Sequence, residues 1–136
     1  MTTEASRPAG PVEFRLPPEP ASVSRARHEV KDFVEALGAD AADVGLAVTE
    51  AVSNAVVHGF RDRRDGTILI RVETLVPDTL AVTVCDDGRG ISPNLRREGL
   101  GLGLAMIGRL TTDLEITAQR PHGTRVHMRF PLVRPT

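Results

Sequence analysis

The run Asp43-Val-Gly-Leu-Ala-Val-Thr-Glu-Ala-Val-Ser-Asn-Ala-Val-Val-His58 constrains the fold more than any other stretch. It has no proline, is rich in Ala and Val, and is long enough for about four turns of helix. On a helical wheel of about 100° per residue, Glu50, Ser53, Asn54 and His58 gather within one arc. Ala47, Val48, Ala51, Val52, Ala55 and Val56 fill the other faces, with Gly45 roughly opposite the polar arc. A surface helix shows the reverse, a narrow apolar stripe on a broad polar body. The pattern therefore predicts a central, mostly buried helix carrying one polar stripe.

A buried carboxylate beside a buried amide is costly unless something pairs with both. Two readings follow. In one, Glu50 and Asn54 satisfy each other and a nearby backbone group. In the other, the i, i+4 spacing lets both side chains reach the same small object. Magnesium takes oxygen ligands and keeps several waters, so one amide oxygen plus phosphate oxygens suits it. The carboxylate is then free to act as a base. These residues alone leave both readings open.

Length and charge narrow the classes. At 136 residues the chain is long enough for one domain with a real core. With four Phe and neither Tyr nor Trp, that core is built from Val, Leu, Ile and Ala. The net charge of -1, without a basic block, gives direct nucleic-acid binding no electrostatic support. No apolar run approaches about 18 residues, so no membrane span is expected. Cys85 is the only cysteine, so no internal disulfide forms, which suits a cytoplasmic protein. Lys31 is the only lysine and has no glycine near it, which excludes a P-loop.

Along the chain, positions 1 to 11 read as a disordered lead-in and Val12 to Leu16 as a short strand closed by Pro17-Pro18. Ser22 or Ser24 is expected to cap a helix through Leu37, stopped by Gly38. Asp40 caps the central helix, which ends near His58-Gly59. The charged stretch 61 to 66 is a solvated turn. Thr67 to Leu75 and Thr79 to Cys85 form an antiparallel hairpin. An apolar helix covers Leu104 to Leu110, and Asp113 to Gln119 pairs with Thr124 to Leu132. The order β-α-α-β-β-α-β-β, without one-for-one interleaving, predicts an α+β fold: a two-layer α/β sandwich with helices on one face of a mixed, mainly antiparallel sheet.

Two glycine-rich loops are candidates for chemistry. Asp86-x-Gly88-x-Gly90 ends a strand. It reads either as a tight turn or as a carboxylate offered to an exocyclic amine, with glycines allowing close approach. Gly99, Gly101 and Gly103 run straight into a helix and leave bare amides at its positive end, which favours phosphate. No acidic residue follows in a βαβ pattern, which argues against a dinucleotide fold.

Glu50-x-x-x-Asn54, Asp86-x-Gly88-x-Gly90, Gly99-x-Gly101-x-Gly103 and Gly123-Thr124 occur in that order. The set resembles the Bergerat-fold (GHKL) ATP-binding domain of gyrase-type topoisomerases, histidine kinases, a heat-shock chaperone and mismatch-repair ATPases. It covers about residues 12 to 132, one ATP-binding domain, with 133 to 136 as a tail. The fuller stretch from Glu50 to Gly59 is similar to the small bacterial serine-protein kinases that act as anti-sigma factors.

The resemblance implies roles. Asn54 would bind magnesium, and Glu50 would be the base for the attacking hydroxyl. Asp86 would take the adenine amino group, supported by Thr124, with Gly88 and Gly90 shaping the pocket. Gly99, Gly101 and Gly103 would wrap the phosphates of ATP, and residues 91 to 98 would be a short lid carrying Arg96 and Arg97. His58 reads as a structural hydrogen-bonding residue. The implied activity is an ATP- and Mg2+-dependent serine/threonine-protein kinase. It would phosphorylate an anti-anti-sigma (STAS-type) protein and hold a sigma factor inactive, as a homodimer. Two other readings remain: a binding module that sequesters its partner without phosphoryl transfer, and a detached ATPase module of another signalling system.

Overall fold

Period-2 alternation along the strands sets the architecture. The computed structural model describes residues 10–59, 66–76, 78–88 and 101–132, without the side chains of 58–59 and 101–104. β1 (Val12–Leu16) pairs with β2 (Ile68–Leu75), which forms the expected hairpin with β3 (Thr79–Asp86). β4 (Asp113–Ala118) pairs with β5 (Thr124–Pro131), and β5 lies against β3, so the sheet order is β1-β2-β3-β5-β4. Every pairing among the described residues is antiparallel. The sheet is therefore not mixed: short turns join β2 to β3 and β4 to β5, and a short turn forces the chain to reverse.

One face of the sheet is apolar. Ile68, Ile70 and Val72 of β2, Leu80, Val82 and Val84 of β3, and Val126, Met128 and Phe130 of β5 are all buried. In register they form cross-strand rows such as Val72, Val82 and Met128. The other face is polar. Glu13, Arg71, Thr83, His127 and Glu115 make one continuous row across all five strands. Arg71 meets Glu13 at 3.0 Å and Glu73 at 3.6 Å, and the Thr83 hydroxyl lies 2.8 Å from His127 Nδ1.

The helices cover the apolar face. α1 (Ala21–Ala36) buries Ser22, Ala26, Val30 and Val34, a stripe at every fourth residue. Neither Ser22 nor Ser24 caps it. The cap position is Pro20, two residues before Ser22, and the Ser22 hydroxyl instead donates to the Pro17 carbonyl at 2.6 Å. Gly38 ends it as expected, with φ +77° and its N–H on the Glu35 carbonyl.

α2 (Ala42–Asn54) opens with Asp40 Oδ1 accepting the Ala42 N–H at 2.9 Å. Val44, Ala47, Val48, Ala51 and Val52 are buried, so the central helix is largely internal, although Leu46 stays exposed. It packs against α1 on one side and α3 (Gly101–Leu110) on the other. Glycine at 45 lets α1 come close, because a Cβ there would sit 2.8 Å from Lys31 Cδ. α3 starts at Gly101, three residues before the expected Leu104, and buries Ile107 completely.

Candidate functional site

The inward series of β3 does not end on an apolar residue. Leu80, Val82 and Val84 are followed on the same face by Asp86, which is only 6% exposed. Strand alternation alone thus drives a carboxylate into the interface between sheet and helices. Across the β3–β5 ladder its partner is Thr124, itself buried at the head of the series Val126, Met128 and Phe130. Burial pushes the Asp86 carboxyl above its ordinary pKa. The Gly88 N–H, on Asp86 Oδ1 at 2.9 Å, and the Thr124 N–H pull it back in part; Asp87 raises it and His122 lowers it.

The loop after Asp86 is laced to both neighbouring strands. Asp87 Oδ1 accepts the Thr67 N–H at 2.8 Å, extending the β2–β3 ladder one rung through a side chain. On the other side, the Gly88 carbonyl lies 3.0 Å from His122 Nδ1 in the β4–β5 turn. Gly123, at φ +115°, comes so close that a Cβ would stand 1.8 Å from the Asp86 carbonyl oxygen. Asp87 and His122 were not singled out from sequence. Once β2 and β3 are paired with Ile68 opposite Asp86, Thr67 falls opposite Asp87, and only that register points to it.

The second part of the site is the C-terminal end of α2. Glu50, Ser53 and Asn54 are half-buried, as the polar arc predicts. After Asn54 the chain leaves α-helical geometry for one π turn, Ala55–Gly59. Such turns insert one extra residue and recur at functional sites. Asn54 Nδ2 is buried and has no hydrogen-bond partner among the described residues. A buried polar group is ordinarily satisfied, so this orphan asks for a ligand. Oxygen and nitrogen of an amide are interchangeable by a flip, so the same position offers either a donor or an acceptor.

At the opposite end of the sheet from Asp86, Asp40 and the α2 residues Asp43 and Val44 share a cleft of about 250 Å3 with Leu110, Phe130 and Pro131. The start of α2 therefore lies over the Phe130 end of the sheet. Gly101 and Gly103 fall in the first turn of α3, where the N–H groups have no intrahelical partners. Gly90, Gly99, Arg96, Arg97 and the rest of 91 to 98 lie outside the described residues, as does the His58 side chain. Cys85 sits on the polar face, half-buried, and burial raises its thiol above the usual range, so it is a poor nucleophile.

These groups have a coherent chemistry. Asp86 presents a buried carboxylate, Asn54 an amide nitrogen without a partner among the described residues, and Gly101 and Gly103 lie in the first turn of α3. No group of three or more His, Cys, Asp or Glu that could hold a metal occurs among the described residues. A metal here would rest on one protein oxygen, phosphates and water, which is magnesium's habit. The residues fit ATP with magnesium.

Comparison with known proteins decides the family. The description of the histidine kinase-like ATPase domain matches residues 16–130. The chain belongs to that family. It is also 32% identical over 125 residues to the anti-sigma F factor of Clostridium novyi, covering 80% of this chain and 85% of that protein. Among solved structures, the RsbU and RsbW domains of a Mycobacterium tuberculosis protein superpose with a TM-score of 0.74 at 24% identity. That match covers 94% of this chain but 33% of the other, and it shows the fold. The histidine kinase domain of Erythrobacter litoralis EL346 gives a TM-score of 0.58 at 28% identity, covering 82% of this chain and 60% of that one. The Bergerat-type sandwich and the relation to anti-sigma factors expected from the motifs are thus both present.

Proposed function

We propose that this chain is an ATP-dependent serine/threonine-protein kinase acting as an anti-sigma factor. It phosphorylates an anti-anti-sigma (STAS-type) partner and sequesters a sigma factor, as a cytoplasmic homodimer. Asp86 carries the reading. A carboxylate buried at a strand end, with the Gly88 N–H on one of its oxygens, suits the adenine amino group. The name of the Clostridium novyi relative supports the regulatory half. No described helix is long and apolar enough to cross a membrane.

In this reading Asp86 accepts from the adenine amine, Thr124 supports the base, and Gly88 and Gly90 shape its pocket. Gly99, Gly101 and Gly103 present N–H groups to the phosphates. Asn54 offers its amide oxygen to magnesium. Bound magnesium supplies charge neutralisation on the phosphate oxygens. Glu50 takes the proton of the partner's hydroxyl as that oxygen bonds to the γ-phosphorus, and the bond to the β,γ-bridging oxygen breaks to release ADP. Positioning and one base are enough for such a transfer.

The test uses Glu50→Ala. Nucleotide affinity should stay near wild type while phosphoryl transfer to the partner falls about 10²–10⁴-fold. Transfer is read on a phosphate-sensitive gel and affinity by titration calorimetry. Wild-type transfer in the variant would remove Glu50 from the mechanism. A wild-type protein that binds its partners and ATP yet never transfers phosphate would favour sequestration alone.

A further inference from the structure

We propose that His122 is a positioning residue for the adenine site, holding Asp86 in its recognition geometry through the Gly88 carbonyl. The inference rests on the ATP reading above and adds a residue to the base-binding side of that site.

The geometry is specific. Gly88 is gripped at both of its polar groups: its N–H donates to Asp86 Oδ1 at 2.9 Å, and its C=O meets His122 Nδ1 at 3.0 Å. A carbonyl oxygen only accepts, so Nδ1 carries the proton and Nε2 faces away. Glycine has the freest backbone of any residue, so a glycine that must orient a neighbouring carboxylate needs tethers from outside. His122 supplies one across 34 residues of sequence, and Asp87, through the Thr67 N–H, steadies the preceding residue.

Two features separate this from a chance surface contact. Gly123 brings the turn against Asp86 at a distance that no residue with a side chain permits. The next residue, Thr124, is the register partner of Asp86 in the β3–β5 ladder. His122, Gly123 and Thr124 therefore meet the β3 end at Gly88 and Asp86, while Asp87 is held from the other side by Thr67. Among these contacts His122 holds the part of the loop furthest from the sheet ladder, where backbone pairing has stopped.

The test compares His122→Ala with His122→Asn. An asparagine Nδ2, like histidine Nδ1, is bonded to Cγ, so it can place a donor at the same point. His122→Ala should weaken ATP, ADP and adenosine by one common factor of about two- to tenfold, the worth of one partly exposed hydrogen bond. The magnesium dependence of ATP binding should not change, because the lesion lies on the base side. In nucleotide-free protein, exchange of the Gly88 amide should quicken in His122→Ala and return towards wild type in His122→Asn. A fall in melting temperature with unchanged adenosine affinity and unchanged Gly88 exchange would reduce His122 to a structural residue and overturn the proposal. A common loss in both variants would overturn it too, by assigning the effect to ring bulk. A wild-type protein without measurable affinity for ATP would sink the ATP reading itself, a result distinguishable from a binding wild type matched by His122→Ala.

Discussion

Leu80 and Asp86 lie on one strand, on one face, and both are buried, yet they belong to two different kinds of structure. Around Leu80 the neighbours are Phe130 across the ladder and the rest of the apolar core. Burial there is its own reward, worth roughly 1.5–3 kcal/mol for each large aliphatic or aromatic side chain. Around Asp86 the neighbours are Thr124, the amides of Gly88 and Thr124, and the loop that His122 holds. Burial there works against the carboxylate and is only partly offset. α2 repeats the contrast, with Val48 and Val52 fully buried along its length and Asn54 Nδ2 without a partner among the described residues where it turns π. A single two-layer packing thus has one end that stabilises it and one end that stability alone would not select.

The largest expected effect is at the polar end, with Gly123→Ala. A Cβ would stand 1.8 Å from the Asp86 carbonyl oxygen, a backbone atom that cannot swing aside, and φ is +115°. Strain and displacement together should cost roughly 3 kcal/mol or more. Nucleotide affinity should fall with it, because Asp86 itself must move. Thermal unfolding and ATP titration read both losses. Melting and binding like wild type would mean that the two loops do not need this close approach.

Asp86→Asn sharpens the contrast in the opposite direction. The native carboxyl has a raised pKa, so it holds its proton to higher pH than the unfolded chain does. Between the two values the unfolded state binds fewer protons, and stability falls as pH rises through that window. The cost then persists at neutral pH. An amide keeps the shape and the oxygen that accepts the Gly88 N–H but carries no charge. The nucleotide-free variant should be more stable at pH 7, by about 0.5–2 kcal/mol, while it binds ATP worse. The stability gain should vanish below about pH 4, where both forms of the wild type are protonated. Equal melting at pH 7 would place Asp86 among ordinary solvated carboxylates.

The same division explains what was legible in the chain. Val48, Val52, Ile70 and Val82 announce their faces through periods of 3.6 and 2, so the layers and the hairpin could be read directly. Glu50 and Asn54 stood out as a polar arc on an otherwise apolar helix, Asp86 through the glycines that follow it, and Thr124 only through the family resemblance. That Asp86 and Thr124 each continue an apolar strand series on the buried face appeared only with the register. The edge position of β4 was not read from the sequence; it shows in the sheet order, where Leu114 and Ile116 are only half-buried and Glu115 between them is exposed. Asp87 and His122 were hidden, because their partners, Thr67 and Gly88, lie 20 and 34 residues away and meet them only through register. The π turn was hidden too, since Ala-Val-Val-His-Gly reads as plain helix. The expected cap by Ser22 or Ser24 failed because local hydrogen-bonding propensity competes with the Pro17 carbonyl, which only the folded turn brings near.

The smallest expected effect, at the apolar end, is the sharpest check on the comparison. Gly45 is buried in α2, and a Cβ there meets Lys31 Cδ at 2.8 Å, Lys31 Cγ at 3.1 Å and Arg27 Cγ at 3.6 Å. These are stems of flexible side chains rather than backbone, so they can give way. Alanine in a helix interior is favoured over glycine by about 1 kcal/mol, and moving the lysine stem uses up part of that. Gly45→Ala should therefore change stability by less than about 1 kcal/mol, with ATP affinity unaltered. In a Lys31→Ala background the obstruction is gone and the full gain of about 1 kcal/mol should appear, a coupling that a double-mutant cycle measures. Two glycines would then stand at opposite ends of the same fold. One yields to a side chain that can move, and the other is fixed by a carbonyl that cannot. A loss above about 2 kcal/mol in both backgrounds would show that α1 and α2 approach through their backbones. The apolar end would then be as intolerant as the polar one, and the contrast between the two would fail.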